Sequence, residues 1–191
     1  HVEVKGAKLS FSFRGKSGVE HAMAIADPQL ASIVQRCQDL PGQEMFQYLD
    51  PFGKRQTVSS DDVNAHLREI TGRDITAKDF RTWGGTMLAA VELRAMGAAS
   101  SRREADRNII RAIDTVAERL GNTRAVCRKY YVHPALLHAY HLGLTAPLPP
   151  PARKRRSRGM LPAAALRREE VVVLQFLQEQ VLELKERRRT R

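Results

Sequence analysis

The chain has 191 residues, 42% of them hydrophobic, which is enough apolar material for one domain with a core and a shorter appendage. Its 32 basic and 21 acidic side chains give a net charge of +11, which favours a polyanionic partner and places nucleic acid ahead of an acidic membrane surface. The composition excludes a disordered chain. The sequence also contains no apolar run of about 18 residues for a membrane span, and no signal peptide.

Two glycine-containing turns divide residues 2–26 into three short segments, and the middle segment alternates apolar and polar side chains. This pattern predicts a small antiparallel meander with Lys16 at a hairpin tip. Asp27-Pro28 predicts the start of a helix that ends near Leu40. Residues 45–49 are predicted to form one more short strand.

The remainder of the chain is predicted to be mainly helical from its caps and its apolar spacing. Ser60 is predicted to cap one helix, which Gly72 ends, and Ser101 and Gly121 bound a longer one. The other predicted helices span 76–96, 123–131 and 134–141. These elements predict an α+β fold, mostly α-helical, with a small antiparallel sheet at its amino-terminal end.

The tail differs in composition from the rest. Residues 1–146 carry 20 basic and 16 acidic side chains, whereas 147–191 carry 12 and 5, so most of the excess charge lies in the tail. A Pro/Arg-rich linker is predicted over 146–166, followed by a basic carboxyl-terminal helix over 167–191. The apolar side of this helix is expected to be formed by Val171, Leu174, Leu177, Val181 and Leu184.

The basic cluster from Arg153 to Arg158 is commonly a solvated run, and it equally suits salt-dependent attraction to phosphates. Cys37 and Cys127 have no CxxC partner and no nearby histidine in metal spacing, so neither a disulfide framework nor a metal site is expected. We therefore expect a reducing, cytoplasmic location. The first residue is His1, and we expect the chain to be a fragment or a processed product.

Four local motifs contain the groups that phosphoryl transfer without a metal requires: a nucleophile, an acid for the leaving oxygen, and cations around the phosphorus. The motifs are Phe13-Arg-Gly-Lys-Ser-Gly18, Lys78-Asp-Phe-Arg-Thr-Trp-Gly-Gly-Thr86, Leu120-Gly-Asn-Thr123 and Cys127-Arg-Lys-Tyr-Tyr-Val-His-Pro134. The sequence contains neither a glycine-rich phosphate loop ending in Lys-Ser/Thr nor clustered carboxylates of the two-metal type.

In this order and spacing, the motifs resemble the catalytic domain of type IB DNA topoisomerases of the bacterial and poxvirus-like kind, over residues 1–145. The resemblance implies that Tyr131 is the nucleophile, Lys16 the general acid and Arg81 a phosphate-binding residue. It also implies relaxation of supercoiled double-stranded DNA through a 3′-phosphotyrosyl intermediate, without ATP, metal or cofactor. A monomer in a bacterial nucleoid is expected.

The same resemblance makes further basic side chains candidates for DNA contacts. They are Lys78, Arg14, Arg128, Lys129 and His133. Tyr130 is expected to be a decoy, since Tyr131 follows Asn122 by the nine residues that the family shows. Asn122 stands where the family often has a histidine, and it can donate a hydrogen bond without a charge, so weaker transition-state stabilisation is expected there.

The family's first catalytic arginine precedes the hairpin lysine by several tens of residues, whereas this chain begins 15 residues before Lys16. We expect that arginine and the amino-terminal domain to lie outside the chain. We also expect the chain alone to be inactive or very slow.

Ordinary structural roles remain open for the same residues. Lys16 is equally a solvated turn lysine, and Arg81 a helix-surface residue paired with Asp79 or Asp74. Asn122 is equally a helix-terminal residue.

We expect His133 to start a helix rather than to bind phosphate, and we expect Trp83 and Phe80 to be core residues. A tyrosine recombinase remains an alternative function, although it typically has His-x-x-Arg where this chain has Lys78-Asp-Phe-Arg81. A third alternative is a DNA-binding fragment without catalytic activity.

Overall fold

The computed structural model describes residues 1–15, 18, 20–38, 45–148 and 163–189. Lys16, the end of the first predicted helix and the basic cluster from Arg153 to Arg158 lie outside this part of the chain. The described residues form two compact units, 1–77 and 78–148 with 163–189. The predicted fold class is confirmed, since the chain is mostly helical with a small antiparallel sheet near its amino terminus.

The first unit begins with the predicted meander. Strands β1 (Val2–Lys5), β2 (Lys8–Arg14) and β3 (Glu20–Ala26) pair antiparallel in sequence order. Leu9 of the central strand is buried with Ala31 and Val34 of helix α1 (Pro28–Gln38), which covers one face of the sheet. The Asp27 carboxylate accepts the first main-chain N–H groups of α1, and this starts the helix where the sequence predicts it.

A small hairpin and one helix complete the first unit. Strand β4 (Gln47–Leu49) pairs antiparallel with β5 (Arg55–Thr57), a strand that the sequence did not reveal. Helix α2 spans Ser60–Thr71 and ends at Gly72 in the left-handed conformation, as predicted. Its cap is Ser59 and not Ser60, because the Ser59 hydroxyl accepts the Asp62 N–H while the Asp62 carboxylate accepts the Ser59 N–H.

The second unit is helical. Its elements are α3 (Ala77–Met96), α4 (Arg102–Leu120), α5 (Arg124–Val126), a π-helical turn (Cys127–Tyr131), α6 (Pro134–His141) and α7 (Ala163–Arg189). Ser101 and Gly121 bound α4 as predicted, and three of its side chains, Ile109, Ile113 and Val116, lie fully inside the core.

Helix α7 packs on this core with a face that agrees only in part with the predicted one, since Leu177, Val181 and Leu184 pack on the core as expected. Val173 and Phe176 are buried, whereas Val171 and Leu174 are 51% and 46% exposed. The predicted apolar side is therefore wrong for these two residues, although Leu177 is buried as expected. Nearly every position from 171 to 177 is apolar, so periodicity alone does not select a face, and contact with the core selects it instead.

Candidate active site around Tyr131

Tyr131 is the last residue of a helical segment that widens into a π turn. The Thr123 hydroxyl accepts the Val126 N–H and starts the segment, and the extended conformation of Val132 ends it. Cys127, at the start of the π turn, is fully buried, and burial raises the pKa of its thiol, so it acts as a neutral anchor. Such single π turns within helical segments occur frequently at functional sites.

Arg81 links the other two described residues that are predicted to be catalytic, Asn122 and Tyr131. Arg81 Nη2 donates a hydrogen bond of 2.7 Å to the Leu120 oxygen, and Asn122 Nδ2 donates one of 2.9 Å to the same oxygen. The Arg81 guanidinium lies 5.2 Å from the centroid of the Tyr131 ring, within the range of a cation–π contact. Helix α3, the end of α4 and the π turn thus bring Arg81, Asn122 and Tyr131 together.

The structure bears on two of the structural alternatives left open by the sequence, the pairing of Arg81 with Asp74 and the helix-terminal position of Asn122. Arg81 does not pair with Asp74, whose carboxylate instead binds Arg68 at 3.0 Å. Asn122 does sit just beyond the end of α4, where its main-chain N–H donates to the Ala117 oxygen. Its helix-terminal position and its contact with the carbonyl shared with Arg81 are therefore both present.

Helix α3 packs against the π turn that contains Tyr131 through two small residues, Gly85 and Thr86. A Cβ atom on Gly85 would overlap the Tyr131 carbonyl oxygen, so the glycine permits direct contact between the two main chains. The buried Thr86 hydroxyl accepts the His133 N–H at 3.0 Å and donates to the Thr82 carbonyl at 2.9 Å. Gly85 and Thr86 belong to the second sequence motif, but neither residue was predicted to have a role. The available signal was the Gly-Gly pair inside a helix, where glycine costs about 1 kcal/mol relative to alanine.

The exposed side of the π turn carries basic side chains. Arg128 and Lys129 are exposed, as is Lys78 at the start of α3. The ammonium groups of Lys78 and Lys129 lie 5.4 and 5.0 Å from the centroid of the Tyr130 ring. Two of the candidate DNA-binding residues therefore lie beside Tyr130, and Arg128 is exposed on the same turn.

His133 is half-buried and caps α6. Its Nδ1 accepts the Ala135 N–H at 3.2 Å, which agrees with the expectation that this histidine starts a helix. Burial lowers the pKa of its imidazole below the ordinary value, so the neutral form that can accept this hydrogen bond is favoured.

Arg14 belongs to the first unit. It ends strand β2 at the base of the hairpin, where it is exposed and lies 3.8 Å from the Glu20 carboxylate. Lys16 follows it, outside the described residues, so its assignment as the acid stays a prediction.

A cavity of about 620 Å³ lies between α3 and α7. Its lining includes Thr82, Thr86 and His133, which also take part in the contacts between α3 and the segment that contains the π turn. At one side Trp83 Nε1 donates to the Glu170 carboxylate at 3.1 Å. Trp83 packs against the core as expected, whereas Phe80 is 60% exposed, so the prediction of a core position for Phe80 is wrong. Phe80 lies on the outward side of the first turns of α3.

The described part of the chain has neither a membrane-spanning helix nor a cluster of metal ligands. None of its helices is both long and apolar enough to cross a bilayer. Within the same ranges, no group of three or more His, Cys, Asp or Glu side chains is arranged to hold a metal ion.

The fold and the cluster around Tyr131 are those expected for the catalytic core of a type IB DNA topoisomerase. The family model described as the catalytic core of eukaryotic DNA topoisomerase I matches residues 1–144, and the chain belongs to this family. Among curated proteins, it is similar to DNA topoisomerase 1B of Acanthamoeba polyphaga mimivirus, with 29% identity over 147 residues, or 73% of this chain. The chain spans 44% of the length of that relative. The relative is viral, so it lends no support to the expected bacterial origin.

Proposed function

We propose that this chain carries the strand-cleaving and religating centre of a type IB topoisomerase, which relaxes supercoiled double-stranded DNA without ATP or a metal. The observation that carries the proposal is that Arg81 shares the Leu120 carbonyl with Asn122 and also lies over the Tyr131 ring, inside the region that matches the family. The basic side chains of the π turn and of α3 suit the charge of the DNA backbone.

In the proposed reaction the Tyr131 phenol oxygen attacks a backbone phosphorus in line. A phosphorus–oxygen bond to Tyr131 forms, the bond to the 5′-oxygen breaks, and the phenol proton is released. Lys16 gives a proton to the departing 5′-oxygen, and Arg81 stabilises the negative charge on the non-bridging oxygens. Religation is the reverse of this step, with the 5′-hydroxyl as the nucleophile. Because the covalent link conserves the energy of the broken bond, no ATP is required.

Asn122 supplies an uncharged donor in this scheme. It shares its carbonyl acceptor with Arg81, so it lies close to where the guanidinium binds phosphate. A neutral amide donates a weaker hydrogen bond to an anion than a protonated imidazole does. We propose that Asn122 stabilises the transition state less than a histidine at this position would.

The proposal is tested by incubating the chain, and a version extended upstream, with supercoiled plasmid in EDTA and without ATP. We expect relaxation, and a covalent protein–DNA adduct after denaturation with detergent, from at least one of the two. Tyr131→Phe should abolish both signals because it removes the attacking oxygen. Tyr130→Phe is the matched control, and it should retain them.

Relaxation that survives Tyr131→Phe would refute the assignment of the nucleophile. Strand exchange between two cognate sites would favour a recombinase instead. DNA binding without an adduct from either version would favour a non-catalytic DNA-binding protein.

A further inference from the structure

The two adjacent tyrosines of the π turn contact different cations. Tyr131 faces the Arg81 guanidinium, whereas the Tyr130 ring, 47% exposed, has the Lys78 and Lys129 ammonium groups 5.4 and 5.0 Å from its centroid. Both distances lie within the usual 6 Å or so of a cation–π interaction. One ring therefore holds two lysines, one from its own turn and one from α3.

We propose that Tyr130 is a positioning residue that holds Lys78 and Lys129 as a subsite for a DNA phosphate next to the one that Tyr131 attacks. The inference rests on the proposed function and deepens it. Two ammonium groups held close to one ring repel each other, and an anion between or beside them relieves that repulsion. On an exposed turn beside the nucleophile, a backbone phosphate of the cleaved strand supplies this anion.

The arrangement links the subsite to the catalytic residues. Lys78 and Arg81 are three residues apart on α3 and therefore lie on neighbouring positions of one helix face. The Thr82 hydroxyl lies 3.1 Å from the Lys78 oxygen and 3.3 Å from the Tyr130 oxygen, so it joins the start of α3 to the turn. A phosphate bound by the lysines thus fixes the position of the strand relative to Arg81 and Tyr131.

The test measures the affinity of the full chain for a fluorescent DNA duplex, in a Tyr131→Phe background that prevents cleavage. Tyr130→Leu should weaken binding about three- to tenfold because it removes the ring that orders both lysines, whereas Tyr130→Phe keeps the ring and should stay within about twofold of the parent. Tyr48→Leu in β4 removes a tyrosine that is 50% exposed and serves as the matched control.

A double-mutant cycle separates positioning from a merely structural role. Lys78→Gln should weaken DNA binding in the parent. When Tyr130→Leu is already present, the fold-loss of affinity caused by Lys78→Gln should be smaller by a factor of at least about three. Additive effects, or a loss with Tyr130→Phe as large as with Tyr130→Leu, would overturn the subsite while leaving the proposed function intact. A parent that binds no duplex even at low salt would also overturn the subsite, and the plasmid assay on the version extended upstream then tests the proposed function separately.

Discussion

At Gly85, a hydrogen atom in place of a side chain allows α3 to touch the main chain of Tyr131. In Gly85→Ala, the new methyl group and the Tyr131 carbonyl oxygen cannot both keep their positions, so the turn must shift. We expect a loss of about 1–3 kcal/mol in the free energy of unfolding and a slower relaxation, since small displacements of a nucleophile are costly. Chemical denaturation of the chain measures the first effect, and the plasmid assay, on whichever of the chain and its extended version relaxes DNA, measures the second.

The neighbouring glycine provides the control for this substitution. A Cβ at Gly84 would meet no other atom within 4 Å, and the residue lies inside the same helix. Gly84→Ala should therefore leave relaxation unchanged and increase stability by about 0.5–1 kcal/mol. Equal effects of the two substitutions would show that contact with the Tyr131 carbonyl is not what requires Gly85.

His133 makes stability depend on pH in a predictable direction. Because burial lowers the pKa of the folded imidazole below its ordinary value of 6.5, the unfolded chain takes up a proton first as the pH falls. The contribution of this group is complete above pH 6.5 and is lost on acidification through that value. His133→Asn keeps a capping side chain without an ionisable group, so the free energy of unfolding should fall less between pH 7.5 and 5.5, roughly one unit either side of the ordinary pKa.

The same substitution at the exposed His138 of α6 is the control. Its pH profile should follow that of the parent. If the free energy of unfolding of His133→Asn falls as steeply with pH as that of the parent, the assignment of the pH dependence to the half-buried His133 is contradicted.

For individual residues, the sequence predicted Arg81, Asn122 and Tyr131 as candidate catalytic residues, because the order and spacing of motifs can be seen in the chain itself. It gave no role to Gly85 or Thr86, because their contacts with residues 131 and 133 cross from one element to another. It also set Tyr130 aside, since nothing in the motif indicates which cations a ring will meet in the fold.

Among the elements, α7 is the one whose buried face differs in part from the face that the sequence predicted, and substitutions on the two faces test the difference. Phe176 is buried at 8% exposure, whereas Leu174 is 46% exposed. Phe176→Ala should lower the free energy of unfolding by about 3 kcal/mol, since it leaves a cavity in the core, and Leu174→Ala by about 1 kcal/mol or less. Thermal or denaturant unfolding of the two variants measures the difference. A larger loss from Leu174→Ala would support the face predicted from the sequence.

The ends of the elements were predictable where a local cap determines them. Asp27, Ser101 and Gly121 each satisfy main-chain groups within a few residues, so their effect is visible in the sequence. Strand β5 and the orientation of α7 were not predictable in this way. A three-residue strand is too short to show alternation, and an apolar run without polar gaps does not specify one buried side.

On the scale of the whole chain, composition predicted a basic protein with a polyanionic partner, and family membership agrees with that expectation. The prediction that 1–145 form one catalytic domain, 146–166 a linker and 167–191 a helical extension stays a prediction. Each of the two units has its own hydrophobic core. The core of the second unit includes residues of α7 that lie beyond the family match. A purely electrostatic role for the tail does not account for those apolar contacts.

The basic cluster of the tail leads to a prediction about salt. Its five cations are Arg153, Lys154, Arg155, Arg156 and Arg158. If they neutralise DNA phosphates, changing all five to glutamine should make the slope of log affinity against log salt shallower by up to about 4.5, because each phosphate contact contributes about 0.9. The rate of relaxation at saturating DNA should not change, since Arg81, Asn122 and Tyr131 are untouched.

The control makes the same change at five exposed arginines of α4: Arg102, Arg103, Arg107, Arg111 and Arg119. Both variants lose the same net charge, so an equal reduction of the slope in the two would attribute the effect to the overall field of the protein rather than to contacts made by the tail.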